Sequence, residues 1–70
     1  MKNNLRVERA ILRMTQAELA DKVGVSRQTI NAIEAGKYAP STVLSLKICH
    51  IFGKPLDAVF QLEDSDWTKE

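Results

Sequence analysis

The chain predicts an all-α fold, a bundle of five short helices. Apolar residues recur at helical intervals along most of its 70 residues, glycines close several of those runs, and Ser, Thr or Asn stands where a helix would begin. A chain of this length forms one domain that buries only about 60% of its unfolded surface, so it is marginal alone and gains from dimerisation.

Leu5 to Arg13 is the first helix, with Leu5, Val7, Ala10, Ile11 and Leu12 as its apolar positions and Asn3 or Asn4 as its cap. Met14 closes the connection. Thr15 followed by Glu18 is a capping-box signature that starts the second helix, in which Leu19, Ala20 and Val23 share a face. Gly24 stops it, because the sharp turn there favours a left-handed backbone that only glycine adopts without steric cost. Val25 plugs the corner and Ser26 caps a third helix, whose Ile30 and Ile33 resume the apolar seam. Ala20 is small where the two helices would cross, so their axes can approach closely.

After Gly36, Lys37 to Pro40 is a loop, since Pro40 steers Ala39 away from helix, and Ser41 caps a fourth helix running to about Phe52. Its core face draws in part on Val43, Leu44, Leu46, Ile48, Cys49 and Ile51, and Gly53 ends it. Pro55 suits the start of a short fifth helix carrying Leu56, Val59 and Phe60, after which residues 61–63 are extended. The domain covers residues 1–63, and residues 64–70 form an acidic tail whose Trp67 is expected in a frayed end.

The span from Thr15 to Lys37 therefore reads as a helix-turn-helix. An ordinary helical hairpin has the same outline, but the exposed side of its second helix decides between them. Arg27, Gln28, Thr29 and Asn31 crowd its N-terminal end, and these side chains bond base edges and phosphate oxygens, whereas a merely solvated helix favours Glu and Lys. The net charge of +1 is low for a nucleic-acid binder, but it is unevenly distributed. Residues 1–55 hold nine Lys and Arg against four acids, a net of +5, and residues 56–70 hold one Lys against five acids, a net of −4. An acidic end is repelled by phosphate and so faces away from DNA.

Other classes find little support. His50 has no second ligand at metal-binding spacing, so neither a metal nor a cofactor is expected. A domain this small holds no credible catalytic site and no effector pocket beside its motif. Cys49, the single cysteine, excludes an intramolecular disulfide and reads as a small core residue. No run of about 18 apolar residues and no signal-peptide pattern occurs, which points to the cytoplasm. A single-strand or RNA binder would need an aromatic platform, and Tyr38, Phe52, Phe60 and Trp67 are scattered. The competing reading is an antitoxin or protein-interaction module on the same fold.

The stretch SRQTINAIEAGKYAPS, with the ending PLDAVFQ, resembles the Cro/C1-type helix-turn-helix family, also called the xenobiotic-response-element family, over about residues 4–61. It is most similar to small stand-alone regulators of the cytolysin operon repressor kind. The resemblance implies a lambda-repressor-like five-helix bundle and, in the smallest members, a short ribbon between the N-terminal residues and the segment after the fifth helix. It also implies a repressor that binds an inverted-repeat operator in double-stranded DNA as a homodimer.

Carried over by position, Gln16 bonds a phosphate and Arg27 and Gln28 read bases. Ser26, Thr29 and Asn31 meet the backbone or neighbouring bases. Apart from the resemblance, Lys37 and Tyr38 in the loop after the recognition helix are expected to anchor phosphates together with Gln16 and Ser26. The family's arginine on the first helix and glutamate late in the recognition helix are Arg9 and Glu34, which implies a largely buried ion pair that orients the helices. With no coiled coil in the chain, Leu56, Val59, Phe60 and Leu62 are the candidates for the dimer interface.

Overall fold

The fold is α-helical with one small ribbon; the computed structural model describes residues 1–68, so Lys69 and Glu70, the end of the expected acidic tail, lie outside the described residues. Five α-helices follow in order: α1 (Leu5–Ile11), α2 (Gln16–Val23), α3 (Arg27–Glu34), α4 (Thr42–Phe52) and α5 (Leu56–Val59). Strands β1 (Lys2–Asn3) and β2 (Phe60–Gln61) flank them and pair antiparallel, Lys2 opposite Gln61 and Asn3 opposite Phe60. The ribbon implied by the resemblance is thus present, and it ties the first residues to the segment after α5.

Local signals set the helix ends. Thr15 forms the full capping box, its hydroxyl accepting from the Glu18 N–H at 3.0 Å while the Glu18 carboxylate accepts from the Thr15 N–H at 3.0 Å. Ser26 and Ser41 accept from the backbone N–H three residues on, as their spacing predicts. Gly24 and Gly53 both lie in the left-handed region, at φ 77° and 66°. At the end of α1 the chain has no glycine. Arg13 takes the left-handed turn itself, at φ 53°, while the Met14 N–H reaches back to the Arg9 carbonyl. Thus α1 closes two residues earlier than the apolar run suggests.

Asn4 stands at the N-cap of α1 without a side-chain cap bond, which corrects the expected cap; its carboxamide and that of Asn3 tie the N-terminal segment elsewhere. The Asn3 carboxamide donates to the Ile33 carbonyl at 2.8 Å and accepts from the Leu5 N–H, and Asn4 donates to the Ala58 carbonyl at 3.0 Å, so the N-terminal segment is bonded to both α3 and α5.

One core joins all five helices: Leu5, Leu19, Ala20, Val23, Ile30, Ile33, Leu44, Ile48, Cys49, Phe52, Val59 and Phe60. The α2 and α3 positions are those their periodicity marks. On α1 the pattern misleads, because Val7 and Ile11 are 57% and 64% exposed while Glu8 is turned inward beside Lys54 at 3.8 Å. The buried face of α4 runs through Leu44, Ser45, Ile48, Cys49 and Phe52, a stripe of i, i+4 neighbours. Val43 and Leu46 fall on the opposite side and are exposed, which corrects their expected place in the core. Ser45 is accommodated in that stripe by donating its hydroxyl to the Ser41 carbonyl at 2.8 Å. Burial raises the Cys49 thiol above its ordinary range, in keeping with a packing residue.

The chain beyond β2 is also placed differently from expectation. Asp64–Trp67 forms a single 3-10 turn instead of a frayed end, with the Met1 amine 3.1 Å from both Glu63 and Asp66. The Trp67 side chain remains in solvent.

Candidate nucleic-acid interface

The α2–α3 pair carries the predicted site residues of α3 on a shared buried seam. Leu19, Ala20 and Val23 of α2 pack with Ile30 and Ile33 of α3 in the core, which turns the opposite face of α3 outward. Arg27, Gln28 and Asn31 are exposed on that face and Thr29 is half-buried. Ser26 and Thr29 are partly engaged with one another, their hydroxyl oxygens 3.0 Å apart and the Ser26 oxygen also accepting the Thr29 N–H. Arg27 and Gln28 make no hydrogen bond or ion pair among the described residues, so both can turn fully toward a ligand. Lys37 and Tyr38 follow α3 on an exposed loop entered through Gly36, whose φ is 73°.

Arg9 and Glu34 meet as a forked pair. Arg9 Nε donates to Glu34 Oε2 at 2.6 Å and its Nη2 to Oε1 at 2.9 Å, while Nη1 donates to the Met14 carbonyl at 2.8 Å. The side chains are 14% and 9% exposed, so the pair is largely buried. Burial alone would raise the Glu34 carboxyl; the bonds from Arg9 and Gln16, with the charges of Arg9 and Arg6, outweigh it and hold the group below the ordinary carboxylate range. One guanidinium thereby joins α1, the α1–α2 connection and the end of α3.

A second link was not legible in the sequence. Gln16 donates its amide to Glu34 Oε1 at 3.2 Å and accepts from the Asn31 amide at 3.4 Å, so the first residue of α2 is bonded to two positions of α3. Which of two amides faces the other depends on the crossing of α2 and α3, and no spacing rule reveals it. Arg6 is likewise brought to this side, lining a polar recess with Arg9, Gln16, Asn31 and Glu34.

The candidate interface residues of α5 and the segment after it separate into two groups. Val59 is fully enclosed by the protomer's own core, which corrects its expected place at a dimer interface, and Phe60 is 6% exposed with only an edge on the surface. Leu56 and Leu62 are 46% and 61% exposed. They flank an open groove of about 590 Å³ shared with Met1, Pro40 and Phe60.

A capped helix pair packed on a shared core and tied to α1 by a largely buried ion pair, with arginine and amide side chains free at the start of its second helix, defines a helix-turn-helix protein. Comparison with known families agrees: residues 5–59 match the helix-turn-helix family model, and the chain belongs to the Cro/C1-type helix-turn-helix family. Among curated proteins it is 52% identical over 66 residues to an uncharacterized HTH-type transcriptional regulator of Methanocaldococcus jannaschii, covering 94% of this chain and 100% of that one. A Bacillus subtilis relative named in the same way is 46% identical over 66 residues, with coverages of 94% and 100%. One from Archaeoglobus fulgidus is 44% identical over 70 residues, with coverages of 99% and 100%. These relatives are regulators by name and not enzymes, and the chain's family places it among non-enzymes too.

Proposed function

We propose that this protein is a transcriptional regulator that binds double-stranded DNA in a sequence-specific manner, and that it represses by occluding a promoter as a homodimer on an inverted-repeat operator. The observation that carries the reading is the exposed start of α3, where Arg27 and Gln28 have no partner among the described residues while the rest of the helix is fixed by Ile30, Ile33 and Glu34. A planar guanidinium pairs bidentately with guanine and a carboxamide with adenine in the major groove. Ser26, Thr29 and Asn31 adjust the same helix against the backbone and neighbouring bases, and Gln16, Lys37 and Tyr38 hold phosphates.

The second copy docks at the groove bordered by Leu56 and Leu62. Pairing there removes apolar surface from water and sets two recognition helices about 34 Å apart, one turn of duplex. Glu63 and Asp66 meet Met1 beside that groove, and like charge keeps this acidic end from the phosphates. The protein works in the cytoplasm; no helix among the described residues is long and apolar enough to cross a membrane.

Selection of bound duplexes from a random pool at physiological salt tests the reading. An enriched inverted repeat with fixed half-site spacing is the expected result. Absence of enrichment by folded protein would sink it, and stable co-purification with a protein partner would then favour a protein-interaction module.

A further inference from the structure

Two apolar features of the surface take no part in the exposed face of α3 or in the groove between Leu56 and Leu62. One is Trp67, the chain's single tryptophan, 73% exposed at the end of the 3-10 turn. The other is an open groove of about 610 Å³ between the end of α2 and the outer side of α4. Val43 and Leu46 line it, 65% and 54% exposed, together with the half-buried Ile51. Leu44, Ile48 and Phe52 hold α4 to the core, so this strip is left uncovered. Apolar side chains gathered in one groove mark a contact surface, whereas scattered ones do not.

The groove and the tryptophan carry opposite charge. Lys22 and Lys47 line the groove against Asp21, and neither lysine makes an ion pair among the described residues. Residues 63–67 hold three acids and no Lys or Arg. Glu63 and Asp66 each lie 3.1 Å from the Met1 amine, and Asp66 also accepts the Glu63 N–H at 2.7 Å, which fixes the turn beside the ribbon. Asp64 makes no ion pair among the described residues. So anchored, the turn holds its tryptophan in solvent, off its own chain's groove, where another molecule can meet it.

We propose that the α2–α4 groove receives Trp67 of a second copy of this chain, in a contact additional to the pairing through Leu56 and Leu62. An aromatic side chain seated on Val43, Leu46 and Ile51 buries about 150 to 250 Å². The acids beside it meet Lys22 and Lys47, and this complementarity sets the register. The two surfaces differ, so the contact can repeat from copy to copy. Its area is far below the roughly 1,200 Å² of a stable interface, so it forms at high concentration or between copies already held close. Neighbouring sites on one duplex hold copies close, and there the contact makes their occupancy cooperative; that consequence alone rests on the DNA-binding reading.

A mixing experiment read by tryptophan emission tests the contact, in a Leu56→Asp, Leu62→Asp background that removes the other pairing. Adding Leu46→Asp keeps the tryptophan and spoils the groove, whereas adding Trp67→Ala keeps the groove and removes the signal. All four side chains are exposed, so the fold should survive. The Leu46→Asp chain alone should emit alike at all concentrations. Adding the Trp67→Ala chain should shift its emission to the blue, and more so at low salt. No shift in the mixture overturns the contact, as does a shift in the Leu46→Asp chain alone. Sedimentation without the background substitutions gives a second reading: at high concentration the unaltered chain should associate beyond a dimer, and Leu46→Asp and Trp67→Ala should each lose that association. Its persistence in either variant overturns the contact. Neither measurement contains DNA, so failure of the regulator reading and failure of this contact are told apart.

Discussion

Glu34 gathers three side-chain hydrogen bonds from two other helices, two from Arg9 of α1 and one from Gln16 of α2. Removing one partner of a largely buried pair leaves the other charge uncompensated, so Glu34→Ala should cost about 3 kcal/mol in urea unfolding, well above a surface pair. The pair also predicts a pH dependence. The folded carboxyl is held below its unfolded value, so its stabilising contribution is complete above roughly pH 4.3 and disappears as the pH falls through the lower, folded value. Acid titration of the unfolding midpoint should show a loss in that window that Glu34→Gln lacks. At the interface, Arg27→Ala should cost about 1 to 3 kcal/mol on a selected duplex and relax discrimination at one base pair, whereas Lys37→Ala should weaken all duplexes alike. Equal losses on selected and random DNA for Arg27→Ala would remove its base-reading role.

At the scale of the element, the helix starts were legible and the first helix's inward face was not. Thr15, Ser26 and Ser41 cap through contacts within three residues, which is why spacing alone located them. Thr15→Ala should accordingly lower stability by about 1 kcal/mol, measured by thermal melting. The end of α1 offers the opposite experiment. Arg13 occupies a left-handed turn that costs an L-residue about 1 to 2 kcal/mol, so Arg13→Gly should stabilise the protein, by up to about 1 kcal/mol once the added freedom of the unfolded chain is counted. A lower melting temperature in that variant would show that the Arg13 side chain contributes more than its backbone costs. The faces of α1 and α4 escaped the sequence because both carry apolar residues on more than one side. Val7, Ile11, Val43 and Leu46 are as hydrophobic as their buried neighbours, and only the docking of other helices selects which side is covered.

For the whole molecule, the ribbon and the asymmetry of charge organise two ends. The N-terminal residues reach α3 through Asn3 and α5 through Asn4, so the segment bearing Arg6 and Arg9 is hydrogen-bonded to the element bearing Leu56. Sedimentation should give a dimer at tens of micromolar. Leu56→Asp with Leu62→Asp should yield a folded monomer, because both side chains are exposed within the protomer. A monomer from the unaltered protein would remove the dimer and with it the inverted repeat. The same double variant should bind a half-site duplex as the unaltered protomer does, while losing the tighter affinity for the full repeat.

The sequence by itself determined the number and order of the helices, the caps of α2, α3 and α4, the helix-turn-helix and the polar side chains at the start of α3. Those features are written in short-range spacing, where one residue's hydroxyl meets a backbone N–H three positions on or an apolar seam repeats each turn. Even the Arg9 to Glu34 pair came from likeness to a family rather than from any local pattern. Only the tertiary structure decided that Gln16 links Glu34 to Asn31, that Arg6 opens on the same recess, that Val59 belongs to the core, and that Glu8 turns inward while Val7 does not. Each of these depends on how elements far apart in the chain cross, a geometry set by close packing of the shared core.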